Sequence, residues 1–171
     1  MSDAGWALTN FYHTVVNCRD LDESVAFYRL LGFEVLNDRR NVKWPAFVAG
    51  LFGLTRASGR GVLMVLPADP TGPMIDLLEW IEPKADFPDP AKVRETVPRI
   101  LAFRTRNVHQ AYTELSAQGV RFAQAVHAPD AALGVVGTVC CYDPNGNIIE
   151  MIELAPGVRH SRANEALGEG A

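Results

Sequence analysis

The sequence predicts an α+β fold built from two tandem copies of a βαβββ unit, on two internal matches and one change of periodicity. The stretch His13 to Gly32, HTVVNCRDLDESVAFYRLLG, recurs without a gap at Ile100 to Gly119, ILAFRTRNVHQAYTELSAQG, displaced by 87 residues from 13 to 100. It sets Asp20 against Asn107, Leu21 against Val108 and Gly32 against Gly119. A second match, displaced by 74 from 69 to 143, aligns Asp69-Pro-Thr-Gly-Pro-Met-Ile-Asp76 with Asp143-Pro-Asn-Gly-Asn-Ile-Ile-Glu150. Two matched blocks in the same order mark a duplicated supersecondary unit. Within each copy the apolar spacing switches between strand alternation and helical period.

The elements follow in order. Residues 1–9 read as a loose lead-in that contains Trp6. The first unit covers 10–81. Phe11 to Cys18 alternates and reads as a strand. Asp20 is a good N-cap, and Asp22 and Glu23 suit the positive end of the helix it opens. Leu21, Val25, Tyr28 and Leu31 make one stripe of that helix, which stops at Gly32. Residues 33–36 form a second strand. Residues 37–60 are a long excursion with a short helix, of a length common in lids and binding walls. Strands at 61–66 and 74–81 flank the Asp69–Pro73 turn, whose Pro and Gly occupy favoured turn positions.

Residues 82–98, with four prolines among mixed charges, form a linker. The second unit, 99–155, runs strand 100–105, helix 108–118, strand 120–126, loop 127–136, strand 137–142, turn 143–147 and strand 148–154. The tail 156–171 has no apolar period and is expected to be disordered.

Composition narrows the function classes. A net charge of −4 and no basic run disfavour nucleic acid as a partner. No uninterrupted apolar run is long enough to span a membrane. The start MSDAGWALTN lacks the basic-then-apolar pattern of a signal peptide. Cys18, Cys140 and Cys141 are odd in number, and neighbours in a strand point to opposite faces, so no disulfide framework is expected. A reduced, cytoplasmic protein is the expectation.

Strand parity then picks out chemistry. Asp76 shares its face with Met74 and Leu78, and Glu150 shares its face with Ile148 and Ile152. A carboxylate on an apolar strand face costs several kcal/mol unless it is paired or coordinates a metal. The same oddity at two repeat-related positions marks both as site candidates. His13 has Ile100 as its counterpart. Glu79 and Glu153 fall on the opposite parity, where a solvated or salt-bridged role is expected.

At these residues the chain resembles the vicinal oxygen chelate superfamily, the fold of glyoxalase I, methylmalonyl-CoA epimerase, extradiol dioxygenases and bleomycin and fosfomycin resistance proteins. The motifs are HTVVNCRDLDESVAFYRLLGF (13–33), IDLLEW (75–80) and DPNGNIIEMIE (143–153). The resemblance covers roughly 10–154. It implies a cupped, mostly antiparallel eight-stranded sheet with helices outside, and a likeness to the homodimers of the superfamily. It also implies a divalent metal held by the first and last strands of each unit. Carried over by position, the ligands are His13, Asp76 and Glu150, with Ile100 where a fourth, usually His, would stand. One His with two carboxylates suits Mg²⁺, Mn²⁺ or Fe²⁺ better than tight Zn²⁺, and Ni²⁺ is not distinguished. Ile100 cannot ligate, which leaves a metal-free site open.

The first expectation is therefore a metal-assisted isomerase, epimerase or lyase acting beside a carbonyl, with Glu150 and Asp76 as catalytic carboxylates. The alternative is a metal-free drug- or metabolite-binding protein of the antibiotic-resistance type. An Fe-dependent dioxygenase is the third. Trp44, Phe47, Phe52, Trp80 and Ile100 are candidate substrate walls, although core packing explains each aromatic singly as well. His127 is a candidate to reach the site from its loop, with a surface histidine the plainer account. His109 and His160 are expected to be exposed, and Cys140 and Cys141 to act as small apolar groups.

Overall fold

The computed structural model describes residues 11–84, 86–87, 99–132 and 134–158. Most of the linker, the lead-in with Trp6, and the tail with His160 lie outside the described residues. The chain divides into two compact units, residues 1–93 and 94–171.

The first unit contains β1 (His13–Asn17), α1 (Leu21–Leu30), β2 (Glu34–Asp38), α2 (Phe47–Leu51), β3 (Ser58–Val65) and β4 (Met74–Glu82). Its sheet runs in the order β1-β4-β3-β2. β1 lies parallel to β4, and the other pairs are antiparallel. Asp20 caps α1 by accepting the Glu23 amide at 2.9 Å. Leu21, Val25 and Tyr28 are buried on the helix's inner face, with Ile75, Leu77 and Val62 among the buried strand residues. Burial at this level stabilises by ~1.5–3 kcal/mol per large side chain. Gly32, at φ +91°, ends the helix, and Phe33 N donates to Tyr28 O at 3.1 Å to close the last turn.

The second unit contains β5 (Ile100–Arg104), α3 (Val108–Ala117), β6 (Val135–Tyr142) and β7 (Ile148–Leu154), with sheet order β5-β7-β6. It repeats the first unit's parallel strand pair and its glycine-ended helix. β5 is parallel to β7, and Gly119 at φ +85° ends α3, with Val120 N donating to Leu115 O at 3.0 Å. The register also repeats: Val15 stands opposite Asp76, and Ala102 opposite Glu150.

The strand expected at 120–126 departs from the prediction. One isolated bridge forms there, Phe122 to Cys141, so seven strands rather than eight carry ladders among the described residues. Ala123, Gln124 and Ala125 are exposed and supply little apolar area to hold a strand down. β3 begins at Ser58, three residues before the expected start, and α2 is the short helix of the excursion.

Cys18 and Cys141 are buried, Cys140 is half-buried, and none of the three forms a disulfide among the described residues. The second DPxGx turn is an internal polar knot. Asp143 Oδ1 accepts the amides of Asn145 and Asn147 at 2.9 and 2.8 Å, and its Oδ2 accepts Asn147 Nδ2 at 2.7 Å. Its counterpart Asp69 is exposed.

Candidate functional site

In each unit one sheet face packs under the helix and the other does not. In the first unit the second face carries His13, Val15 and Asn17 from β1, Met74, Asp76, Leu78 and Trp80 from β4, and Gly59, Gly61 and Leu63 from β3. Asp76 sits in its middle at only 6% exposure. Such a buried carboxylate needs a partner, and the partner is Arg39, whose Nη2 donates to Asp76 Oδ1. Arg39 follows β2 directly and is anchored by its own amide, which donates to Gly61 O at 2.8 Å.

Two glycines of β3 make room for what lies on this face. A Cβ at Gly61 would stand 3.4 Å from Arg39 Nη2 and 2.8 Å from Leu78 Cδ2. A Cβ at Gly59 would stand 2.8 Å from Trp44 Cζ2 and 2.7 Å from Glu79 O. Glycine inside a strand commonly marks such a close approach. The guanidinium and the indole thus occupy consecutive same-face positions of β3.

The excursion supplies an aromatic wall here. Trp44 meets Trp80 edge-on at 5.1 Å between ring centroids, and Phe52 meets Trp80 at 5.8 Å. Trp80 Nε1 donates to Asn17 Oδ1 at 2.9 Å, which fixes the indole over β1. Of the aromatic candidates, Trp44, Phe52 and Trp80 therefore come together. Phe47 stands 65% exposed, outside this cluster.

The corresponding face of the second unit carries Ile100 and Ala102, Ile148, Glu150 and Ile152, and Thr138, Cys140 and Tyr142. Glu150 is half-buried and makes no hydrogen bond or ion pair with the described residues. It stands directly across from Cys140. Burial, and then the Glu150 charge, raise the Cys140 thiol above its ordinary value. Burial, and then Cys140 beside it, push the Cys141 thiol up to about 12. Neither is a ready nucleophile. Ile100 is 52% exposed, and His127 is exposed with Nδ1 2.9 Å from Ala128 O. His109 is exposed on α3.

Buried polar atoms without a partner fall on these two faces. Among the described residues they are His13 Nδ1, Arg39 Nε and Thr138 Oγ1. His13 lies one strand over and two residues along from Asp76, and Thr138 shares its face with Glu150. Unsatisfied buried groups are rare in folded proteins, and each calls for an explanation.

As a donor set for a divalent metal, the residues present fit poorly. Asp76 is committed to Arg39, Ile100 offers no donor, and within either unit's described residues no three His, Cys, Asp or Glu side chains gather to hold an ion. Glu79 and Glu153 have another role. Glu79 Oε2 accepts the Leu21 amide at 3.0 Å, and Glu153 Oε2 accepts the Val108 amide at 2.9 Å. Glu79 also pairs with Arg60 at 3.2 Å, the salt-bridged role expected of it. Sequence reasoning missed Arg39, Gly59 and Gly61; the Gly-Arg-Gly run inside an apolar strand was the available signal. Among the described residues no helix is long and apolar enough to cross a membrane.

Solved structures share the fold. A glyoxalase family protein from Bacillus cereus is 17% identical, with TM-score 0.74, covering 90% of this chain and 99% of its own. The trypanothione-dependent glyoxalase I of Leishmania major is 18% identical, with TM-score 0.57 and coverage of 85% and 87%. A fosfomycin resistance protein from Listeria monocytogenes, solved as a mutant with Mn(II) and 1S,2S-dihydroxypropylphosphonic acid, is 13% identical, with TM-score 0.59 and coverage of 88% and 95%. A comparison with curated protein sequences finds no match. The match to the family itself runs over residues 10–151, and the chain belongs to the Glyoxalase/Bleomycin resistance protein/Dioxygenase superfamily.

Proposed function

We propose that this protein binds a small organic molecule without a divalent metal, on the sheet face of the first unit that carries Asp76 and the Trp44–Phe52–Trp80 wall. The observation that carries this reading is the placing of the orphaned buried atoms. His13 Nδ1 and Arg39 Nε lie on that face, and Thr138 Oγ1 lies on the equivalent face beside Glu150. A polar ligand would satisfy such groups, and an apolar wall beside a few polar groups is the usual make-up of a small-molecule site. The expected partner state is a homodimer.

The test uses indole fluorescence. Planar aromatic compounds titrated in excess EDTA should quench the Trp44 and Trp80 emission saturably, and Trp80→Ala should weaken binding by about tenfold. Saturable binding that appears only on adding Mn²⁺ or Mg²⁺ would sink the metal-independent reading.

Glu150 favours a second reading, an isomerase, epimerase or lyase that moves a proton beside a carbonyl. A half-buried carboxylate without a hydrogen-bond partner among the described residues is free to carry that proton. Turnover that survives Glu150→Gln would remove this reading.

A further inference from the structure

We infer that Arg39 is the resident cation of the first unit's site and the receptor for a carboxylate on a planar aromatic ligand. The inference rests on the small-molecule reading above and names its ligand class. Arg39 extends its guanidinium over Gly61 to pair with Asp76 on the sheet face. It therefore balances that carboxylate's charge with a group the chain itself supplies.

A guanidinium has five N–H donors, held in a planar fork that matches a carboxylate. The bond to Asp76 engages Nη2, while Nε is buried without a partner. The side chain is 35% exposed, so the fork is not sealed in the core. One repeat along β3, the indole of Trp44 covers Gly59 and leads on to Trp80 and Phe52. Same-face residues two apart on a strand are separated by ~7 Å. That is the distance from a carboxylate to the far side of a small fused ring. His13 Nδ1, also orphaned, adds a second polar contact on the face. A side chain at residue 61 would meet Leu78 Cδ2 first, at 2.8 Å, and touch the guanidinium at 3.4 Å.

The experiment compares 2-naphthoate with its neutral isostere 2-naphthamide, by calorimetry in excess EDTA. The wild type should bind naphthoate about tenfold or more tighter than naphthamide, the increment expected for a charge-assisted hydrogen bond. Arg39→Lys should shrink the ratio. Arg39→Ala/Asp76→Ala, which leaves no unpaired buried charge, should bring it to about one. Equal binding of the two probes by the wild type overturns the Arg39 role and leaves the small-molecule site standing. So does a ratio that persists in the double variant. Stoichiometric Mn²⁺ binding lost in Asp76→Asn overturns the role from the other side. Binding of neither probe sinks the small-molecule reading and the Arg39 role together.

Discussion

The carboxylate of Glu79 accepts the backbone amide of Leu21 at 3.0 Å, so a strand residue caps the first helix from outside it. The duplication reproduces the device in Glu153 and Val108 at 2.9 Å. The two caps are unequal. α1 also has Asp20, whereas Asn107 sits at φ 53° before α3 and makes no side-chain cap bond. Glu153→Ala should therefore cost ~1–2 kcal/mol and Glu79→Ala less, read as urea midpoints at constant slope. An unshifted midpoint for Glu153→Ala would rule the cap out.

Arg39 and Asp76 should be unequal partners as well. Asp76 is nearly sealed, with its side chain 8% exposed against 35% for Arg39. Arg39→Ala strands a buried carboxylate and should cost ~3 kcal/mol. Asp76→Ala leaves a guanidinium that still reaches water and should cost ~1 kcal/mol. The double variant should be more stable than Arg39→Ala alone. Strictly additive losses would mean that the pair does not couple.

The duplicated frame was legible because both its signals are periodic. The 13–32 and 69–76 blocks and their copies fix strands, helices, glycine stops and the paired sites of Asp76 and Glu150. Arg39 was not legible, because one of two adjacent arginines in a polar stretch carries no period, and its reach depends on how β2 ends beside Gly61. Glu79 and Glu153 announced only their parity. Their bond to a helix amide crosses from strand to helix, and such a contact has no sequence spacing of its own. The 120–126 segment misled for the converse reason: Val120, Phe122 and Val126 share a parity, but the exposed Gln124 interrupts it, and Phe122 alone forms a bridge there.

Gly59 should resist even the smallest side chain. A Cβ there would stand 2.7 Å from the Glu79 carbonyl, which is backbone and cannot swing away, and 2.8 Å from the Trp44 ring. Gly59→Ala should cost ~1–3 kcal/mol and displace Trp44, the softer of the two neighbours. Near-ultraviolet circular dichroism would show this as loss of the Trp44–Trp80 signal. An unchanged spectrum with unchanged stability would mean that the close approach is not real.

Burial, and then Cys140 beside it, hold the Cys141 thiol up to about 12, against 9.0 for an ordinary thiol. Between those values the unfolded chain has released the proton and the folded chain still holds it. The unfolded state therefore binds fewer protons, and stability falls as pH rises from about 9 towards 12, by ~1.4 kcal/mol per pH unit for one thiol. Below pH ~8 Cys141 adds no slope, since both states keep the proton. Cys141→Ala removes the titration, so its urea midpoint should be lower than the wild type's at neutral pH from the lost packing but decline less steeply above pH 9. Parallel declines for the two proteins would place the alkaline loss at other groups.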